Sequence, residues 1–355
     1  MRFHLAKLFE VLKIRDLIIK NRIFMSPMCQ YSAIDGLPND WHFVHYGSHA
    51  IGGAGLIIIE ATSVNPEGRI SSQDLGIWNE EQMLAFKKIN TFIKSQGSAT
   101  GLQIAHAGRK ASSRAPWQIA PHKDWITKAP SALPFSEKST KPVEMTLQDI
   151  NDVIQAFEQA TLYCREADFD VIEIHMAHGY LLHEFLSPYS NQRTDSYGGS
   201  IENRMRLPLQ IAETVRKAWP QTKPVFVRIS ATDWIEPQGW TIADSIVFSQ
   251  KLKDLGIDFI DCSTGGNVAN AQIPVEKNYQ VEFAHAIKQK VLIMTGAVGL
   301  ITEAEQANQI LTANQADAVL LGRELLRNPN WPLIASQKLK VDFQWPNQYM
   351  RAKIL

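Results

Sequence analysis

The chain has 355 residues, 45% of them hydrophobic, and its 36 Lys and Arg balance its 36 Asp and Glu at a formal net charge of zero. That balance argues against nucleic acid or an anionic membrane surface as the main partner, and no stretch approaches the roughly 20 apolar residues of a membrane span. Cys29, Cys164 and Cys262 are sparse, odd in number and far apart, which argues against a disulfide framework or a zinc site. The first two dozen residues are broken by charge every few positions and lack the apolar core of a signal peptide. A cytoplasmic protein with free thiols is expected.

In chain order, strand-like runs fall at 22–28, 54–64, 100–108, 169–177, 224–230, 257–264, 291–297 and 316–324. Helical patterns lie near 41–52, 80–96, 147–167, 200–218, 242–255, 279–289 and 302–313, with a last one after Gly322. Thr146 and Asp149 have the spacing of a capping box before the third of these. Near-continuous apolar strands, each followed by a helix, mean parallel strands covered on both sides. Eight such units predict an α/β fold, a single (β/α)8 TIM barrel. The rival is an open doubly wound sheet, which usually has fewer units and an evident switch point. The Pro-, Ser- and Trp-rich stretch 109–145 interrupts the alternation after the third strand and reads as a lid-like insertion.

Side chains alternate along a strand. In "PVFVRIS", Val225, Val227 and Ile229 share one face, and Phe226, Arg228 and Ser230 the other. Leu102 and Ile104 oppose Gln103, Ile172 and Ile174 oppose Glu173 and His175, and Phe259, Asp261 and Ser263 oppose Ile260 and Cys262. The aliphatic faces suit helices, so the polar ones point into the barrel near its C-terminal mouth. Burying such groups without partners is costly. Several on separate strands suggest a polar ligand; the plain alternative is a self-satisfied internal network.

"HMAHGY" (175–180) closes the fourth run with His175, His178 and Tyr180. Two neutral imidazoles can each donate to one carbonyl oxygen, and a phenol nearby can deliver a proton. The competing reading is a metal-dependent barrel hydrolase using His175, His178 and Glu184, although HExxH is absent. A barrel serving only as a binding scaffold is the non-enzymatic alternative. Neither GxGxxG nor a Walker sequence occurs, so a Rossmann nicotinamide site is not expected. Glycines cluster instead after the last three strands, in "STGGN", "TGAVG" and "GRELL", where barrels often bind phosphate.

With "NRIFMSPMCQYSA", "DLGIW", "QIAHAGRKA", "VIEIHMAHGYLLHEFLSPYSNQRTDSYGGSIENR" and "GRELLRNP", the chain resembles the Old Yellow Enzyme family from about Lys7 to about Arg351. The Cys29–Tyr31 and His175–His178 pairs are similar to its bacterial, thermophilic-like branch. The resemblance implies one FMN-binding barrel domain over 1–355, with non-covalent FMN and NADPH (or NADH) as hydride donor. Hydride would pass through FMN to the activated C=C of small electron-poor alkenes such as α,β-unsaturated carbonyls. Residue by residue, it implies Ser26, Pro27, Met28 and Cys29 against the flavin. Ala61, Gln103 and Arg228 make further ring contacts, and Gly322 and Arg323 form the phosphate grip. His175 and His178 hold the substrate oxygen, Tyr180 donates the proton, and Tyr31 contacts substrate. It further implies a homodimer or homotetramer in which Arg351, from the tail 340–355, completes the neighbour's site. The chain departs from shorter members in "SSRAPWQIAPHKDWITKAPS" (112–131), with Trp117 and Trp125.

Overall fold

The structure, a computed structural model, describes residues 6–118 and 124–353. Eight parallel strands close into a barrel: β1 Ile23–Met25, β2 Leu56–Ser63, β3 Ala99–Ala105, β4 Val171–Met176, β5 Val225–Ser230, β6 Phe259–Ser263, β7 Met294–Ala297 and β8 Ala318–Leu321. Closure runs through β8 and β1, where Leu321 pairs with Met25. The helices α1 Asp40–Ile51, α2 Glu80–Ser95, α3 Leu147–Glu166, α4 Ile201–Ala218, α5 Ile242–Asp254, α6 Val281–Val291, α7 Ala304–Thr312 and α8 Trp331–Lys338 follow the strands in turn. This is the (β/α)8 barrel that the eight alternating units predict. The doubly wound rival fails because its sheet would have open edges.

Helix starts are chemically marked. Thr146 Oγ1 accepts from Asp149 N, and the Asp149 carboxylate accepts from Thr146 N, the expected capping box. Thr241 makes the same box at α5, while the Asn79 and Ser200 side chains accept from Gln82 N and Asn203 N to cap α2 and α4. No helix among the described residues is long and apolar enough to cross a membrane.

The alternation of the strands divides the core in two. Leu102, Ile104, Ile172, Ile174, Val225, Val227, Ile229 and Ile260 belong to the layer shared with the helices. Phe24, Phe226 and Phe259 turn inward, with Phe226 and Phe259 stacked at 4.3 Å between centroids. Below them an antiparallel hairpin, Leu12–Ile14 with Leu17–Ile19, presses Leu12, Ile14 and Ile19 into the same cluster. The barrel therefore has an apolar plug, an aromatic floor, and above it the ends of the strands. The sequence reading contained neither this hairpin nor the short strands Lys128–Ala129 and Val143–Glu144, which pair in parallel within 109–145.

That insertion docks on the β2–α2 loop. Trp125 Nε1 donates to Glu67 O at 2.8 Å, and the Arg69 guanidinium lies over both Trp78 and Trp125 at 5.5 and 5.6 Å. Trp117 meets Tyr31 edge-on at 5.6 Å. Residues 119–123 of the insertion lie outside the described residues.

Candidate active site

The inward residues of β3 to β6 form an ionic layer. Gln103 and Glu173 are register partners, as are His175 with Arg228 and Arg228 with Asp261. Gln103 Nε2 donates to Glu173 Oε1 at 2.9 Å. Arg228 Nε lies 3.0 Å from Asp261 Oδ2, yet the two are not aligned for a hydrogen bond. Arg228 Nε, both Asp261 oxygens and Glu173 Oε2 are buried without a hydrogen-bond partner. Orphaned polar atoms of this kind cost free energy unless a ligand satisfies them.

At the end of β4, His175 and His178 are perpendicular, with Nε2 of the first 3.4 Å from Nδ1 of the second. Burial, reinforced by Arg228, holds both imidazoles well below the usual histidine range. They are neutral at neutral pH and carry one N–H each. His178 has a left-handed backbone, φ +60°, and so has Tyr31, φ +49°. Such backbone persists where the surroundings over-determine it. For His178 they do: its N–H donates to Ser230 Oγ at 2.9 Å, and Ser230 Oγ donates to Gly265 O at 2.8 Å. Next to it Gly179, φ +69°, passes so close to the following barrel loop that a Cβ would lie 2.3 Å from Gly266 O.

The Tyr180 ring is edge-on to His175 at 5.0 Å. Burial pushes its phenol well above the usual range, so it keeps its proton. Lys110 Nζ lies 4.9 Å over the same ring and donates to His178 O and Gly266 O at 2.8 and 3.0 Å. Neither Lys110 nor Ser230 was assigned a role in the sequence reading. The only signal for Lys110 was its place in "QIAHAGRKA".

Glu184, the third ligand of the metal-hydrolase alternative, does not join the histidines. It is buried and accepts from Arg109 N at 2.9 Å, and no group of three or more His, Cys, Asp or Glu among the described residues is arranged to hold a metal. The alternative is not supported by this geometry.

After β1 the chain runs through Ser26, Pro27, Met28 and Cys29. Ser26 N continues the ladder by donating to Leu321 O at 3.0 Å. Burial, with Asp74 and Glu60 nearby, pushes the Cys29 thiol well above its usual value. Beneath this segment Glu60 Oε2 accepts from Gln30 N and Oε1 from the Tyr46 hydroxyl, both at 2.7 Å. The β2–β3 register shifts between Ile59 and Thr62. The shift lets Glu60 reach α1 and leaves Ala61 lining a small cavity with Ala105, Ala107 and Tyr180.

A cavity of about 260 Å³ continues from Arg228 and Ser263 past Gly299 to Gly322 and Arg323. Gly322 sits beside Met28: a Cβ there would come within 3.5 Å of its sulfur. Among the predicted residues, Arg351 alone stands apart. It is exposed on the turn Asn347–Ala352 and has no hydrogen bond or ion pair to a described residue. The tail before it, with Trp345 buried, lines a cavity together with the C-terminal ends of α1 and α2.

The sequence model of the NADH:flavin oxidoreductase / NADH oxidase family matches residues 7–342. The chain belongs to that family. Its fold is that of morphinone reductase, with 26% identity, 98% of this chain and 93% of that one covered, and a TM-score of 0.79. The Old Yellow Enzyme homologue from Zymomonas mobilis gives 25% identity, coverage of 98% and 99%, and the same TM-score of 0.79. A 2-naphthoyl-CoA reductase superposes at TM-score 0.86 with 22% identity; the chain spans about half its length (52%), and that likeness concerns the fold. Morphinone reductase has also been solved with tetrahydroNAD.

The protein is thus an FMN-dependent NAD(P)H oxidoreductase of the Old Yellow Enzyme family. Its own residues fit the cofactor. The unsatisfied Arg228 edge, the layer around it, and a cavity leading to the glycine and arginine after β8 offer polar contacts at one end and a cation at the other.

Proposed function

We propose that the mouth of the barrel reduces the electron-poor C=C bond of α,β-unsaturated carbonyl compounds, the nicotinamide and the acceptor using one pocket in turn. The observation that carries this reading is the pair of neutral nitrogens, His175 Nε2 and His178 Nδ1, 3.4 Å apart beside Tyr180. An oxygen bridging them accepts two N–H bonds, which draws electron density from the alkene and makes its β-carbon electrophilic. FMN, when bound, supplies there the hydride taken from NAD(P)H. Tyr180, still protonated, gives its hydroxyl proton to the α-carbon. Tyr31, edge-on to Trp117, forms the outer wall of the acceptor site.

Ser26, Pro27, Met28, Cys29, Ala61, Gln103 and Arg228 are the residues we assign to the flavin ring, and Gly322 and Arg323 to its phosphate. Arg228 would stabilise negative charge on the reduced ring. NADPH is the proposed donor over NADH, in line with the branch the motifs resemble. The 109–145 insertion is read as a lid, the whole of 1–355 as one domain, and the cytoplasm as its compartment. A homodimer or homotetramer is proposed, in which Arg351, exposed on its own subunit, enters the neighbour's mouth.

One experiment tests the reading. The purified protein is reduced anaerobically with NADPH and with NADH, then mixed with enones, maleimides, nitro compounds and quinones. Stoichiometric FMN, faster reduction by NADPH and rapid reoxidation by enones are expected. Full activity without flavin, or no reoxidation by any electron-poor alkene, overturns it.

A further inference from the structure

Inside the barrel, three charged side chains meet on an apolar base. Glu173 and Asp261 are completely buried and Arg228 is 6% exposed. The groups facing them can be enumerated strand by strand. From β3 comes Gln103, from β4 His175 at the next inward position, from β5 Arg228 and the ring of Phe226, from β6 Asp261 and the ring of Phe259. Phe24, Ile58 and Leu320 of β1, β2 and β8 belong to the apolar base beneath the layer, β7 places Gly296 beside Asp261, and β2 turns Glu60 to α1 at the register shift above Ile58. Two carboxylates therefore face one guanidinium, whose charge is permanent, and His175 is neutral. With both carboxylates ionised the layer would carry an uncompensated negative charge in an apolar interior, which is costly.

The hydrogen-bond inventory points the same way. Glu173 Oε2 and both Asp261 oxygens have no donor. A proton on Glu173 Oε2 turns one orphan acceptor into a donor and leaves Asp261 supplying acceptors. Arg228 Nε lies by Asp261 Oδ2 at 3.0 Å, whereas Glu173 has only the neutral amide of Gln103. The cation favours the anion on Asp261 and leaves the neutral acid to Glu173.

We propose that Glu173 and Asp261 hold one proton between them, resting on Glu173, so that the layer beneath the flavin is electrically neutral and Arg228 keeps its charge directed at the cofactor. Burial first, and then Asp261, pushes the Glu173 carboxyl upward, consistent with this arrangement. Both carboxylates act through Arg228 as positioning residues, coupled as buried like charges on either side of β5. The inference rests on the assignment of Arg228 to the flavin ring.

Infrared spectra of the apoprotein and the FMN-loaded protein, in water and in deuterium oxide, test it together with the flavin midpoint potential. A protonated-acid carbonyl band that shifts on deuteration is expected in the wild type and lost in Glu173→Gln. Glu173→Gln leaves the potential unchanged, because an amide replaces a neutral acid. Asp261→Asn shifts the charge to Glu173, so it too loses the band with little change in potential. Only the double variant leaves Arg228 unpaired. It raises the preference for reduced over oxidised FMN about tenfold, roughly 30 mV for a two-electron couple. The idea is overturned if Glu173→Gln keeps every acid band of the wild type, or if it alone raises the potential as much as the double variant. Should the double variant not fold, the wild type and Glu173→Gln decide alone. The apoprotein spectra stand even if the flavin assignment fails, so the two failures are distinguishable.

Discussion

His178 Nε2 lies 2.7 Å from Ser263 Oγ, 85 residues away in the chain. Ser263 has a second partner, Gln280 Oε1 at 3.3 Å, so its hydroxyl selects a tautomer. If it donates to His178, the His178 proton sits on Nδ1 and faces the oxygen site. If it donates to Gln280, His178 Nε2–H donates to Ser263 and Nδ1 becomes an acceptor, unable to hold a carbonyl. Ligand oxygen favours the first state. Ser263→Ala removes the selection. We expect phenol binding to the FMN enzyme to weaken by about 1 kcal/mol, roughly fivefold, with flavin content unchanged. Titration of the flavin absorbance with a phenol measures it; unaltered affinity would assign Ser263 to packing alone.

Tyr180→Phe removes the proposed proton donor but keeps the ring against His175 and Lys110. Reoxidation by an enone should slow by about 10²–10⁴-fold, while reduction by NADPH stays within a few-fold of wild type. Stopped-flow measurement of the two half-reactions separates these. Equal losses in both would mean that the tyrosine shapes the pocket.

Glu60→Gln tests the support under Cys29. Gln30 N donates to one Glu60 oxygen and the Tyr46 hydroxyl meets the other; in the amide one of these positions becomes a nitrogen, which cannot accept. The loss should cost about 1–3 kcal/mol and loosen FMN. Denaturant midpoints and flavin release on dilution report the two effects. A stable variant that holds FMN normally would show that Gln30 finds another acceptor.

Stability against pH follows from opposed groups. Burial lowers His42 to about 4, His45 to about 3 and His106 to about 4, below their unfolded value near 6.5. The unfolded chain therefore takes up protons first as pH falls, and this contribution, full above about pH 6.5, drains away beneath it. Burial raises Glu60 and Glu184 to about 8, above an unfolded value near 4.3. Their contribution is full below about pH 4.3 and is lost as pH rises to about 8. Between about 6.5 and 7.5 the acids dominate, because Lys20 and Lys110, lowered by burial to about 8, oppose them only toward the upper end, so Tm should fall with rising pH there. Calorimetry across that window checks the sign, and a rising Tm would contradict it.

Truncation after Asn347 removes Arg351 but leaves the buried Trp345, and Pro346, in place. If the tail completes a neighbour's mouth, KM rises or turnover falls while FMN remains bound. A truncated enzyme with full activity, or an intact one that is monomeric by light scattering, refutes the shared site.

What could be read in the sequence was whatever obeys a local period. Gln103 and Arg228 stand out as polar residues on the inward face of apolar strands, and the structure places both there. Glu173 and Asp261 were visible by the same rule, but their shared partner was not, because it depends on which strands become neighbours. Glu60 escaped the alternation at the register shift after Ile59. The Ser263–His178 and Lys110–Tyr180 pairings arise only when separate loops converge on the closed mouth. The hairpin at 12–19 was missed because three-residue strands, one interrupted by Lys13, leave too short a pattern.

The seam between the first and last strands carries one more consequence. Met28 and Gly322 face each other across it, so the seat proposed for the cofactor is divided between the two ends of the chain. A polypeptide still being synthesised has the histidines, the tyrosine and the ionic layer long before it has the opposite wall of that seat. Flavin capture must then come after translation has passed β8, and a prematurely terminated product would be released colourless.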